Sequence, residues 1–391
     1  MAGIQERISV TSPSELFARL QAALGSQYRL ERELGHGGMG VVFEGVQQAT
    51  GRRVAIKFML DGAMNAEAAR KRFEREVEVV AGLQHPGIVS VLDSGVRKGR
   101  YFYVMEYVEG KPLDEALPPG TCGVRPAMEL LAQICDAVDY AHQRGVLHRD
   151  LKPSNVLIDH AGQPHLLDFG LAKRVEEGAV APAGGGHGRY GVTIAEPGQL
   201  VGTVAYMSPE QSLGKNSEMG VRSDVYALGV MAYELVTGKL PVEMEGSIRE
   251  VLTRIAEKEP ARPSQLRPGA GRDLDAVLLK ALDKSPARRY ATVGEFAEDL
   301  RRYLTGMPVT ARHVGVGGRL WRWVRRNEAI ASVIAVASVI LISVSTLAVV
   351  RILQQTRIAE EKADEVVMEI GRKARDWWSQ TFNGQSFMGV G

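Results

Sequence analysis

The run His148-Arg149-Asp150-Leu151-Lys152-Pro153-Ser154-Asn155 places a carboxylate, an ammonium and a carboxamide in one short segment. Asp150 can accept the proton of an attacking hydroxyl, Lys152 can sit beside a transferring γ-phosphoryl group, and Asn155 can ligate a metal ion. Thirteen residues beyond Asn155, Asp168-Phe169-Gly170 offers a second carboxylate, able to bridge Mg²⁺ to the β- and γ-phosphates of a nucleotide. Phosphoryl transfer asks for positioning and charge neutralisation more than covalent help, and this set supplies both. An eight-residue string of this composition is too specific to arise by chance.

Two upstream patterns fit the same chemistry. In Leu34-Gly35-His36-Gly37-Gly38-Met39-Gly40-Val41-Val42 the glycines let the backbone approach a phosphate chain and present N–H donors to it. Alone the pattern is weak, since turn glycines between strands produce it. It lies between two strand-like runs rather than before a helix, which disfavours a dinucleotide-binding βαβ unit. Val54-Ala55-Ile56-Lys57 is a strand with one lysine in an apolar setting, a point charge suited to the α- and β-phosphates. Standing alone, Lys57 would read as an exposed strand lysine. Glu74, Glu76 and Glu78 are all candidate partners for it, and helix geometry does not choose among them.

The elements that must position these residues change character along the chain. YRLERELG, GVVFEGVQ, RRVAIKFML, IVSVLDSGV and RYFYVMEYV read as strands, with one helix at about 66–83 among them. Helical periodicity follows, as in Arg125–Arg144 and Ser223–Thr237. A small antiparallel sheet lobe with one helix therefore precedes a larger, mainly helical lobe. Residues 1–27 carry a short amphipathic helix with Ser14 as N-cap and Leu16, Phe17, Leu20 and Leu24 on one face; its role is not legible. The Gly/Ala-rich stretch 176–191 reads as a loop.

Composition excludes several classes. Of 391 residues, 45% are hydrophobic and 24% charged, which argues against wholesale disorder, and a net charge of +2 gives no general reason to expect nucleic acid. Cys122 and Cys135 alone imply a reducing compartment, not a disulfide scaffold. The N-terminus lacks the apolar core of a signal peptide. From Ala329 to Val350 run 22 residues without a charge, about 33 Å as a helix and enough for a ~30 Å hydrocarbon core. Arg312, Arg319, Arg322, Arg325 and Arg326 precede it, against three Lys/Arg in the same length after it, which places residues 1–328 on the cytoplasmic side. Trp321 and Trp323 stand at the same border, and the arginines suit anionic lipid. In the following 41 residues Ile352, Thr356, Ala359, Ala363, Val366 and Ile370 alternate at 4-3 spacing, a helical continuation more than a stable coiled coil.

GHGGMGVV, VAIK, HRDLKPSN, DFG and GTVAYMSPE stand in the order and spacing of the eukaryotic-like protein kinases, and the chain resembles a bacterial member of the serine/threonine branch over about Tyr28–Leu304. The resemblance implies an α+β, bilobal kinase fold, and the uncharged run adds a single transmembrane helix after it. Its expected parts are an N-terminal extension (1–27), a kinase domain (28–304, lobes meeting near 108), a basic juxtamembrane segment (305–328), the span (329–350) and a short extracytoplasmic tail (351–391). It implies ATP and Mg²⁺, with Mn²⁺ as an alternative metal, in the cleft. Among the glutamates it selects Glu76. Met105 resembles the gatekeeper, Glu106 and Val108 the hinge residues whose backbone meets adenine, and Val42, Ala55 and Leu157 the residues that sandwich the ring. Lys152 and Thr203 match the serine/threonine form. Asp224 resembles the buried carboxylate holding the catalytic loop, and Glu210 and Arg289 an ion pair tying down the activation segment; Ser208 replaces that motif's usual alanine.

The same resemblance implies protein substrates carrying Ser or Thr and, as a further expectation, a homodimer, while the charge asymmetry about the uncharged run puts the kinase domain on the cytoplasmic face of the cell membrane. Arg149 beside Asp150 calls for a phosphorylated activation loop. Between Leu171 and Gly202 there is one threonine, Thr193, and no serine, so Thr193 is the expected autophosphorylation site. A nucleotide-gated scaffold without activity is the rival reading, and the presence of Lys57, Asp150, Asn155 and Asp168 weighs against it.

Overall fold

The computed structural model describes residues 13–37, 40–59, 77–97, 100–169, 204–312 and 328–382. Gly38, Met39, Glu76, Gly170, Thr193, Thr203, Arg319, Arg322, Arg325, Arg326, Trp321, Trp323 and the stretch 176–191 lie outside the described residues. Two compact units divide at His313/Val314.

In the first unit, strands β1 (Tyr28–Gly37), β2 (Gly40–Gln47), β3 (Arg52–Met59), β4 (Val91–Arg97) and β5 (Arg100–Glu106) form one sheet in the order β1-β2-β3-β5-β4, antiparallel throughout. β4 begins at Val91 and not at Ile88. Ile88 instead makes a parallel bridge to Leu166, and the amide of Val89 donates to the Leu166 carbonyl, so these residues tie the sheet to the following lobe.

Side chains alternate across a strand, so register assigns each residue a face. Val42, Lys57 and Tyr103 stand opposite one another, as do Glu44, Ala55 and Met105, and these share the face toward the second lobe. Val41, Phe43, Val54, Ile56, Phe58, Phe102 and Val104 form the other face. Helix α1 (Pro13–Leu24) covers that outer face with the four residues expected to be apolar: Leu20 and Leu24 are buried, Leu16 and Phe17 partly so, and Phe17 meets Phe43 edge-on at 5.6 Å. Gln21 fastens the helix to the sheet, accepting from the Leu30 amide at 2.7 Å and donating to the Tyr28 carbonyl at 3.0 Å. The N-terminal extension thus completes the core of the small lobe. α1 starts at Pro13, a residue well suited to a first helical position, so Ser14 stands inside the first turn rather than capping it.

The second lobe is built on α2 (Val124–His142), α3 (Val221–Thr237), α4 (Ile248–Glu257), α5 (Gly271–Ala281) and α6 (Val293–Leu304), with a small sheet of β6 (Gly110–Pro112), β7 (Val156–Asp159) and β8 (Pro164–Leu166) at the cleft. α3 is buried along nearly its whole length and ends at Gly238, whose φ of +73° is the left-handed stop that glycine provides. Beyond α6 the chain stays attached. Asp299 accepts from the Thr310 and Ala311 amides and from the Tyr290 hydroxyl, and Arg312 pairs with Asp273 at 2.7 Å. Arg312, read with the basic cluster, is therefore engaged by the folded domain.

In the second unit one helix, α7 (Glu328–Phe382), runs 55 residues without interruption. Among the described residues no helix is long and apolar enough to cross a membrane. The side chains of residues 328–340, which hold the first half of the expected span, lie outside them.

Candidate active site

The loop His148–Asn155 is held from below by one carboxylate. Asp224, buried on α3, accepts from the His148 amide (2.9 Å), the Arg149 amide (2.9 Å) and His142 Nε2 (2.7 Å). Burial works to raise the Asp224 carboxyl, but the bonds it accepts from His142 and the His148 amide outweigh it and hold it below its ordinary range. Arg149 adopts φ +65°, a left-handed conformation costly for a side chain of this size, and the two amide bonds to Asp224 stabilise it. His148 is fully buried. Its Nε2 faces the Leu167 carbonyl at 2.9 Å and so carries the proton, while its Nδ1 has no hydrogen-bond partner. Burial pushes the His148 imidazole down, against the pull of Asp224 and Asp150, so the ring is neutral near pH 7.

These anchors present the reacting groups. Lys152 Nζ lies 3.1 Å from Asp150 Oδ2, and Asn155 Nδ2 donates to the Asp150 carbonyl (2.7 Å) and carboxylate (3.3 Å). Both Nδ2 bonds point the Asn155 amide one way and leave its Oδ1 as the acceptor for a cation. The catalytic set from the sequence, Asp150, Lys152 and Asn155, thus sits within one loop.

Across the cleft Lys57, nearly buried on β3, pairs with Asp168, whose other carboxylate oxygen accepts from the Tyr103 hydroxyl. Burial acts to raise the Asp168 carboxyl, but the Lys57 ammonium and the Tyr103 hydroxyl prevail and hold it below the usual carboxylate range. The same burial, with Asp168 beside it, pushes the Tyr103 hydroxyl far up. Asp168 has φ +53°, and Phe169 next to it is buried with its ring 4.9 Å from that of His148. An ionised carboxylate and an amide oxygen are hard donors that fit Mg²⁺. Among the described residues no group of three or more His, Cys, Asp or Glu stands together as a metal cage.

Gly37 and Gly40 pair across the tip of β1 and β2. A Cβ at Gly40 would lie 2.3 Å from the Phe58 carbonyl, so this glycine is required by the close approach of β2 to β3 whatever it does for phosphates. Gly35 has open space around it, Leu34 is exposed, and exposed His36 meets Glu33 at 2.9 Å. Ala55 and Met105 are buried, with Val42 and Val108 packed beside them, and Leu157 on β7 is partly buried. The Glu106 amide donates to the Ser90 carbonyl while its side chain pairs with Arg52.

Glu210 and Arg289 are both buried and joined by two bonds of 2.8 Å, with the Ser223 hydroxyl adding a third to Glu210 at 2.6 Å. Four groups escaped the sequence reading: Tyr103, His142, Gln211, which donates to the Arg149 carbonyl at 3.2 Å, and the Tyr206–Glu234 hydrogen bond. Only Tyr103 left a usable signal, its period-two alignment with the lysine strand.

A five-stranded lobe over a helical lobe, with a lysine–aspartate pair spanning the cleft above a carboxylate-bearing loop, defines the bilobal protein kinase fold. Residues 28–299 match the protein kinase domain family, and the chain belongs to it. It is similar to the serine/threonine-protein kinase PknA of Mycobacterium tuberculosis, 38% identical over 286 residues that cover 72% of this chain and 62% of that one. It is also similar to PknB of the same organism, 35% identical over 296 residues, covering 74% and 45%. The chain thus spans less than two thirds of these relatives' length. Among solved structures it resembles the kinase domain of M. tuberculosis PknI, with a TM-score of 0.53 at 30% identity, covering 71% of this chain and 96% of that one.

Proposed function

We propose that this chain is an active serine/threonine protein kinase that transfers the γ-phosphoryl group of ATP to Ser and Thr hydroxyls of proteins. The observation that carries the reading is the loop geometry, with Lys152 Nζ 3.1 Å from Asp150 Oδ2 and Asn155 Nδ2 donating to the Asp150 carbonyl, which supports Asp150 as the base. Asp150 draws the proton from the substrate hydroxyl, and Lys152 neutralises charge on the phosphoryl in flight. Lys57 orients the α- and β-phosphates once released from Asp168. Asp168 and Asn155 would hold Mg²⁺, or Mn²⁺ in its place, which supplies charge neutralisation at the β- and γ-phosphates. Transfer of radiolabel from γ-labelled ATP to the chain itself or to a hydroxylated protein tests this. Asp150→Asn should lower it about 10³-fold, and a wild-type chain that never moves label would overturn the reading.

The uncharged run 329–350 and its arginine-rich approach support a membrane tether with the kinase domain on the cytoplasmic side. Extraction of membranes at alkaline pH, followed by protease treatment of intact cells, tests that arrangement; a chain released by the extraction would sink it. Thr193 is the proposed activating phosphosite, to be sought by phosphopeptide mapping of active enzyme, and an unmodified Thr193 there would exclude it.

A further inference from the structure

Tyr103 buries a hydroxyl at the edge of the core cluster, where its bond runs to Asp168. It is 2% exposed, in the wall formed by the sheet face toward the cleft, and a buried phenol needs a partner. Its position opposite Lys57 brings both side chains to one carboxylate: Lys57 donates to Oδ2 of Asp168 and Tyr103 to Oδ1. A carboxylate offers about four lone-pair sites, so these two bonds leave room for a cation while deciding which way the carboxylate plane faces.

The two donors differ in how well they can do this. An ammonium on a flexible four-carbon stem follows the carboxylate wherever it turns, and under the reading above Lys57 must also leave for phosphate. The Tyr103 ring is fixed by close packing, so its hydroxyl is a stationary reference point. Backbone geometry adds to the need for one. Asp168 sits at φ +53°, a sparsely populated conformation that persists only where its surroundings determine it.

We propose that Tyr103 is a positioning residue for the metal ligand Asp168, its hydroxyl holding the carboxylate turned toward the cation that Asp168 and Asn155 would share. The inference rests on the kinase reading above. The hydroxyl of Tyr103 is bonded to Asp168, so its effect on a cation would pass through that carboxylate, as it does for hydrogen-bonded partners of metal ligands.

The experiment measures Mn²⁺ binding to the full chain in the presence of ADP, by the loss of free Mn²⁺ electron paramagnetic resonance signal beyond that caused by the same ADP without protein. Wild type, Tyr103→Phe and Tyr103→Met are compared, with thermal unfolding of each as a check on folding. Both variants should bind Mn²⁺ about 10-fold or more weakly than wild type, and at saturating metal the kcat of Tyr103→Phe should return close to wild type. A purely structural role would lower the melting temperature without moving the metal midpoint. Unchanged or tighter Mn²⁺ binding by folded Tyr103→Phe overturns the inference and leaves the kinase reading intact. A wild-type chain that takes up no Mn²⁺ with ADP overturns both.

Discussion

Removal of the Asp224 carboxylate should unfasten the catalytic loop from α3. In Asp224→Ala three donors lose their acceptor: the amides of His148 and Arg149 and the Nε2 of His142, all at 2.7–2.9 Å in the intact protein. Each buried donor left unsatisfied costs about 1–3 kcal/mol, so the variant should lose at least about 3 kcal/mol unless water enters. At about 2–4 °C per kcal/mol for a domain of this size, its melting temperature should fall by roughly 6 °C or more. Asp224→Asn keeps one carbonyl oxygen and should lose about 1–3 kcal/mol. The kinetic effect is more diagnostic. Without the two amide bonds Arg149 can relax from φ +65°, displacing neighbouring Asp150, and a misplacement of about 1 Å costs on the order of 10²-fold in kcat. Calorimetry and phosphorylation of a protein substrate measure the two arms. An Asp224→Ala enzyme that melts within 1 °C of wild type, or turns over at the wild-type rate, would refute the reasoning.

Two further outcomes follow from the same geometry. Leu20→Ala empties a fully buried site between α1 and the outer face of the sheet; denaturant unfolding should show a loss of about 2–5 kcal/mol, and a loss under 1 kcal/mol would mean that α1 is dispensable. The His148 imidazole, pushed down by burial, stays neutral in the folded protein while the unfolded chain protonates near pH 6.5, so stability is lost as pH falls below that value toward the folded pKa. Melting temperature should therefore drop between pH 7.5 and 5.5, and drop less in His148→Gln, which keeps a donor but does not titrate. An equal drop in both proteins would remove His148 as the cause.

Much of the site was readable because its chemistry is local. Asp150, Lys152 and Asn155 lie within six residues, so chain connectivity alone keeps them together, and the paired Glu210 and Arg289 were reached through motif order. The expected strands appear as a single antiparallel sheet for an equally local reason, alternation of side chains along each strand. The start of β4 was misplaced because Ile88 and Val89 are as apolar as strand residues but spend their backbone on Leu166.

Sequence by itself determined which family this chain joins and which residues are candidates for its chemistry, since a carboxylate-bearing loop, a second carboxylate before Phe-Gly and an isolated strand lysine are properties of residue type and short spacing. Tertiary structure alone decided other pairings: Lys57 with Asp168, Tyr103 on the opposite oxygen, and α1 closing the small lobe. Those contacts join residues far apart in the chain, up to 111 positions for Lys57 and Asp168. Their partners are selected by packing and register, and a one-residue slip of β3 would turn Lys57 to the outer face and remove the pair.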